Sequence, residues 1–179
     1  MQEIINMLEE MKKQNDASMT NFPDIELYMD QILDYLSRQK VSFRDNEKIT
    51  SAMVNNYIKE GLLPRAKGKR YNKVHMMYLC IIQRLKKVLC GKDMSRLLSS
   101  SIKDEDITLY YTAYENILSD EITLIGEYIK GQEKTPKEEL AMRLAIRSQL
   151  SKMLCEYLVL DLEPQSEVKS SHKKKSKND

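Results

Sequence analysis

The sequence predicts a mainly all-α protein, and three observations carry that expectation. Glycine and proline number only 5 and 4 in 179 residues, and tryptophan is absent. Leucine, methionine, lysine and glutamate, which keep most of their side-chain freedom in a helix, fill the chain instead. Apolar residues recur three and four positions apart along most of its length, the period of helices with one buried face. At 41% hydrophobic residues the chain can bury a real core, and the scarcity of turn residues argues against sandwiches and barrels.

Taken in order, residues 3–14 put Ile4, Ile5, Leu8 and Met11 on one face, with acids early and lysines late, as the helix dipole favours. Residues 21–39 are expected as a second helix, started by Asn21 or the Pro23-Asp24 pair and striped by Ile25, Tyr28, Met29, Ile32, Leu33 and Leu36. Residues 41–48 are polar and read as a loop. A short helix then opens at Thr50 or Ser51, buries Met53, Val54, Tyr57 and Ile58, and stops at Gly61. Residues 64–72, with Pro64, Gly68 at the tip and a run of basic residues, read as a tight hairpin or loop.

Asn72 is the expected cap of an apolar helix carrying Val74, Met77, Tyr78, Ile81, Ile82, Leu85 and Leu89, which Gly91 breaks. Asp93 is the expected cap of a short helix ending at Ile102, and a longer helix covers 104–130. The last helix starts at Thr135, with Pro136 in the first position and Glu138 three residues after the cap. It reaches Leu160 along Met142, Ile146, Leu150, Met153 and Tyr157.

Several functions find no material here. Cys80, Cys90 and Cys155 are odd in number and widely spaced, unlike a disulfide framework or a metal clamp. His75 and His172 are the two histidines, no Gly-rich phosphate loop is present, and no acid–base pair stands out. The expectation is a protein that is not an enzyme and takes no cofactor or metal. Without a long apolar run or the charge order of a signal peptide, it is expected in the cytoplasm with no membrane partner.

Charge is segregated. Between Lys48 and Lys92 stand eleven basic residues and one acid, Glu60, within a chain whose total is only +2. Such a pole is the footprint of a surface that meets phosphates, although an ordinary solvated face has the same composition.

The order of elements inside that pole resembles the winged helix-turn-helix of MerR-class bacterial regulators. A capped short helix ends in Tyr57 and the stop Gly61-Leu62-Leu63-Pro64. A basic wing closes at Arg70-Tyr71, an apolar helix covers Leu79 to Val88, and a short Leu-Leu helix covers Met94 to Leu98. The wider pattern, including LYMDQ at 27–31 and MVNNYIKEGLLP at 53–64, resembles an uncharacterised family of Gram-positive bacteria, the domain of unknown function 1836. The sequence departs from the MerR pattern at Asn55 and Asn56, where those regulators carry an arginine and a first tyrosine.

The resemblance implies a DNA-binding transcriptional regulator working as a homodimer on double-stranded DNA. Thr50, Ser51, Asn55, Asn56, Tyr57 and Lys59 fall on its recognition helix; Arg65, Lys67, Lys69, Arg70, Tyr71 and Lys73 fall on or beside its wing. Asn55 is the foremost candidate base reader, since Asn can pair bidentately with adenine. Tyr57 and Tyr71 have an equally simple role as core and anchor. The organisation expected is an amphipathic helix at 1–20, a MerR-like winged module at 21–102, a C-terminal helical hairpin at 103–164 and a basic, disordered tail at 165–179. Tyr110, Tyr111, Tyr114 and Tyr128 could line a ligand pocket or simply pack, and no effector is assigned. The other class of function is a protein-interaction module that keeps the winged scaffold and docks an acidic partner.

Overall fold

Leu27 and Tyr71, 44 positions apart by sequence number, exchange backbone hydrogen bonds in the middle of a helical body. The computed structural model describes residues 2–16, 22–38, 48–102 and 106–162. Its helices are α1 (Gln2–Asp16), α2 (Met29–Ser37), α3 (Ser51–Lys59), α4 (Lys73–Leu85), α5 (Gly91–Ser101), α6 (Ile107–Lys130) and α7 (Lys137–Leu160). Among the described residues the extended pairing is confined to two isolated antiparallel bridges, Leu27 with Tyr71 and Lys67 with Arg70. The expected loop at 41–48, save Lys48, lies outside the described residues, as do Asn21 and the tail at 165–179.

α4 is the central element. Met76, Leu79, Ile81 and Ile82 are wholly or almost wholly removed from solvent, with α2 contributing Ile32 and Leu36 and α3 contributing Val54 and Tyr57. Each such side chain stabilises the fold by roughly 1.5–3 kcal/mol through burial. Gln83 enters the same core and donates from Nε2 to the Leu36 carbonyl at 3.2 Å, tying α4 to the C-terminal end of α2. This core continues past residue 102: Ile107 and Tyr111 of α6 and Val159 of α7 belong to it, so 21–102 and 103–164 share one interior. The Tyr111 ring meets those of Phe22 at 5.4 Å and Tyr114 at 5.6 Å between centres, both tilted. The tyrosines expected to line a pocket or pack are thus packing residues, with Tyr128 in a smaller cluster of Ile5, Ile129 and Leu140.

Several element boundaries depart from expectation. α2 begins at Met29, not in 21–24, because both backbone groups of Leu27 are held by Tyr71 and cannot enter a helical ladder. Ile25 and Tyr28 consequently face solvent. α4 ends at Leu85, and residues 86–89 form successive turns. Gly91 opens α5 instead of only breaking α4, with Cys90 at the cap and Asp93 one turn in, accepting from the Cys90 thiol at 3.1 Å. Asn72 and Gly61 fill their expected roles, while α7 begins one residue after the position expected for Pro136, which becomes the cap.

α1 lies along α6, and α6 also packs on α4. The expected close hairpin of α6 and α7 is confined to their joint. Leu140 and Leu144 meet Ile129 and Tyr128 there, and the Arg147 guanidinium sits 3.7 Å from the Tyr128 ring centre. Beyond the joint α7 touches α5, and its Cys155 and Val159 reach the main core.

Candidate nucleic-acid interface

α3 is built to show one face. Thr50 is extended and its Oγ1 accepts the Met53 N–H at 3.3 Å, so Thr50 is the cap and Ser51 the first helical residue. Val54 and Tyr57 turn into the core, which leaves Ser51, Ala52, Asn55, Asn56 and Lys59 on the opposite, exposed side. Gly61, at φ 76°, ends the helix. Its N–H donates to the Ile58 carbonyl at 3.2 Å and the Leu62 N–H to the Tyr57 carbonyl at 2.8 Å, which satisfies the last carbonyls while Leu62 and Leu63 drop into the core. The polar row is therefore anchored from behind at both ends.

The basic segment that follows is a reverse turn, Lys67-Gly68-Lys69-Arg70. Gly68 and Lys69 both have positive φ, 56° and 60°, and the Arg70 N–H donates to the Lys67 carbonyl at 3.0 Å. Two consecutive left-handed residues are the turn that joins twisted strands most tightly. Tyr71 then pairs with Leu27, so the turn is fastened to the segment ahead of α2. Arg65, Lys67, Lys69 and Arg70 are exposed, the Arg70 guanidinium lying 5.4 Å from the Tyr28 ring centre. Lys73 is half-buried on the first turn of α4.

Beneath the turn, Tyr71 is buried and meets the His75 ring edge-on at 5.4 Å. His75 and Asn72 cap α4 reciprocally: Asn72 Oδ1 accepts the His75 N–H at 3.4 Å and His75 Nδ1 accepts the Asn72 N–H at 3.2 Å. Burial pushes the Tyr71 phenol up; it does the same to Tyr57, with the charge of Glu60 adding to the effect. Tyr57 and Tyr71, expected on the contact surface, thus face inward; the aromatic rings that hold these elements cannot also reach outward.

A groove of about 570 Å³ borders the exposed row of α3. Asn56 and Glu60 stand on one wall, Lys86, Lys87 and the start of α5 on the other. Glu60 reaches the α5 N-terminus so closely that a Cβ on Gly91 would lie 3.2 Å from its Oε2. A carboxylate there complements the positive end of the helix. Helical periodicity carries the expected helix through Lys86 and Lys87, which hides their place across from Asn56. The signal for them was the Lys-Lys pair just ahead of Gly91, where a helix was due to stop.

The geometry of α3, a face of short polar side chains with Lys86 and Lys87 across the groove beside it, suits binding to an extended polyanion. Among the described residues no three His, Cys, Asp or Glu come together as a metal cluster, and no helix is long and apolar enough to cross a membrane.

The family model described as "Domain of unknown function (DUF1836)" matches residues 17–117, over half of the chain. The chain belongs to that family. The DUF1836 match takes in α2 to α5 and the first half of α6, hence the whole candidate interface, and leaves α7 outside. No curated protein and no solved structure matches the chain.

Proposed function

We propose that this DUF1836 protein is a DNA-binding transcriptional regulator of MerR-like design, acting in the cytoplasm on double-stranded DNA. The observation that carries the reading is the division of α3, with Val54 and Tyr57 buried and Ser51, Ala52, Asn55, Asn56 and Lys59 exposed in one row. In this reading α3 enters the major groove, and the 67–70 turn acts as a wing on backbone phosphates through Arg65, Lys67, Lys69 and Arg70. Lys73, Lys86 and Lys87 add to that positioning charge, and Thr50 is placed to help at the helix start.

The chemistry of the row also sets a preference. Asn pairs bidentately with adenine, and a small apolar side chain such as Ala52 meets the thymine methyl, whereas guanine is read chiefly by Arg or Lys. The one cation on the row is Lys59, in its last position. A·T-rich half-sites follow from that composition.

Fluorescence anisotropy of a random-sequence duplex, at low and near-physiological salt, tests the reading. Affinity that falls steeply with salt and disappears in the Lys69→Glu, Arg70→Glu double variant supports it. No binding at low salt overturns it, and directs the search to an acidic protein partner. Selection from a random pool then tests the A·T preference separately.

A further inference from the structure

α1 and α6 enclose a cavity of about 200 Å³ between them. Ile5 packs beside Ile129 at one end, and at the other the Lys12 ammonium donates to Thr123 Oγ1 at 2.9 Å, so the two helices run antiparallel along it. The floor is apolar, formed by Ile5, Leu8 and Ile122, with Gly126 beneath Leu8. Gly126 stands in the interior of a 24-residue helix, where glycine is destabilising relative to alanine. Packing does not require it: an added Cβ would meet the Leu8 Cδ1 at 4.0 Å, an ordinary contact. What the glycine keeps is the space.

We propose that this cavity binds a free α-amino acid with a short aliphatic side chain, such as leucine. Volume sets the size: an apolar cavity of about 150 Å³ holds benzene, whereas drug-sized ligands need roughly 300 Å³ or more. The floor receives the aliphatic chain, whose removal from water drives binding. The rim sets the head group. Glu9 and Lys12 line it from α1, Glu127 and Lys130 from α6, and among the described residues the ion pairs are formed elsewhere. Each of these acids stands three positions from a base, the spacing of side chains that neighbour one another on a helix surface. A ligand with adjacent charges of both signs satisfies such a pair, while a simple carboxylate or amine leaves one rim charge facing its like.

Lys12 decides which pair takes the head group. It is half-buried, and Thr123 holds its ammonium while donating its own hydroxyl to the Ser119 carbonyl at 2.9 Å. Thr123 takes one of the three ammonium N–H donors, which leaves the others for the ligand carboxylate, with Glu9 one turn away for the ligand ammonium. The aliphatic chain then lies over Gly126. Both walls fall outside residues 17–117, so the site lies beyond the family domain, stands apart from the DNA reading and is tested without nucleic acid.

With only 5 glycines in the chain, the Gly126 amide is a well-separated reporter in a nitrogen–proton correlation spectrum of the full-length protein. Titration with L-leucine is expected to move it saturably, with a midpoint below about 1 mM, while the Gly61 and Gly68 amides stay in place. Glu9→Gln, at an exposed position, is expected to weaken leucine about tenfold through loss of one charge-assisted hydrogen bond. Free glycine, which lacks the side chain, and isocaproate, which lacks the amine, are each expected to bind at least about tenfold more weakly than leucine. No saturable movement of Gly126 up to about 10 mM leucine overturns the proposal, as does movement of all the glycine amides together. Equal binding of isocaproate overturns the amino-acid head group, and equal binding of free glycine overturns the role of the apolar floor.

Discussion

The Leu27 N–H donates to the Tyr71 carbonyl, and the Tyr71 N–H to the Leu27 carbonyl, each at 2.8 Å. Through this pair the segment ahead of α2 holds the basic turn against the body, while Tyr71 and Leu27 are both buried. Tyr71→Ala removes a large buried ring and loosens that fastening. A loss of about 3 kcal/mol is expected, as for other buried aromatics cut back to alanine. Urea denaturation checks it; Tyr71→Phe, which keeps the ring, should lose far less.

Gly61 gives a second, more local prediction. Its φ of 76° places it in the left-handed region, and nothing stands within 4 Å of where a Cβ would be. The cost of Gly61→Ala is then backbone strain without a clash, about 1 kcal/mol. Gly61→Asn should cost less, since Asn tolerates this conformation better than other residues with a Cβ. The two variants, compared by thermal denaturation, separate strain from packing.

His75 makes stability depend on pH. Burial lowers the imidazole below its ordinary value of 6.5, opposed in part by the nearby Arg65 carbonyl, the charge of Glu26 and the Pro64 carbonyl. The folded chain therefore favours the neutral ring, and the unfolded chain takes up the proton first as pH falls. Stability is full above the unfolded value and declines below it, through the window down to the lowered folded value, by at most about 1.4 kcal/mol per pH unit. Melting temperatures at about pH 7.5 and about pH 5.5 should show this fall. His75→Gln, which retains a side chain suited to the reciprocal cap, should flatten it.

Helix stops and starts written in local chemistry were legible in the sequence. Gly61 ends α3 and Asn72 caps α4 because each needs only its own neighbours. What escaped was set by distant partners. Pro23-Asp24 is a sound helix start, yet the helix waits until Met29 because Tyr71 claims the backbone of Leu27. Periodicity likewise carries the expected helix on to Leu89, and so conceals Lys86 and Lys87 as turn residues on the groove beside Asn56. In α7 the period shows the stripe from Met142 to Leu160 as apolar, but period alone does not say whether an apolar face is covered by its own chain.

Lys86 and Lys87 separate positioning from reading within the proposed interface. If they meet phosphates, Lys86→Gln with Lys87→Gln weakens binding to every duplex alike and reduces the log–log salt slope by about 0.9 for each phosphate lost. Asn55→Ala leaves that slope intact and lowers discrimination at one base pair by about 1–3 kcal/mol. Anisotropy titrations of both variants, on a selected duplex and on its single-base-pair changes across several salt concentrations, measure the two effects together. Equal behaviour of the two variants would remove α3 as the reading helix, because a residue that contacts a base edge and one that contacts a phosphate cannot share both signatures.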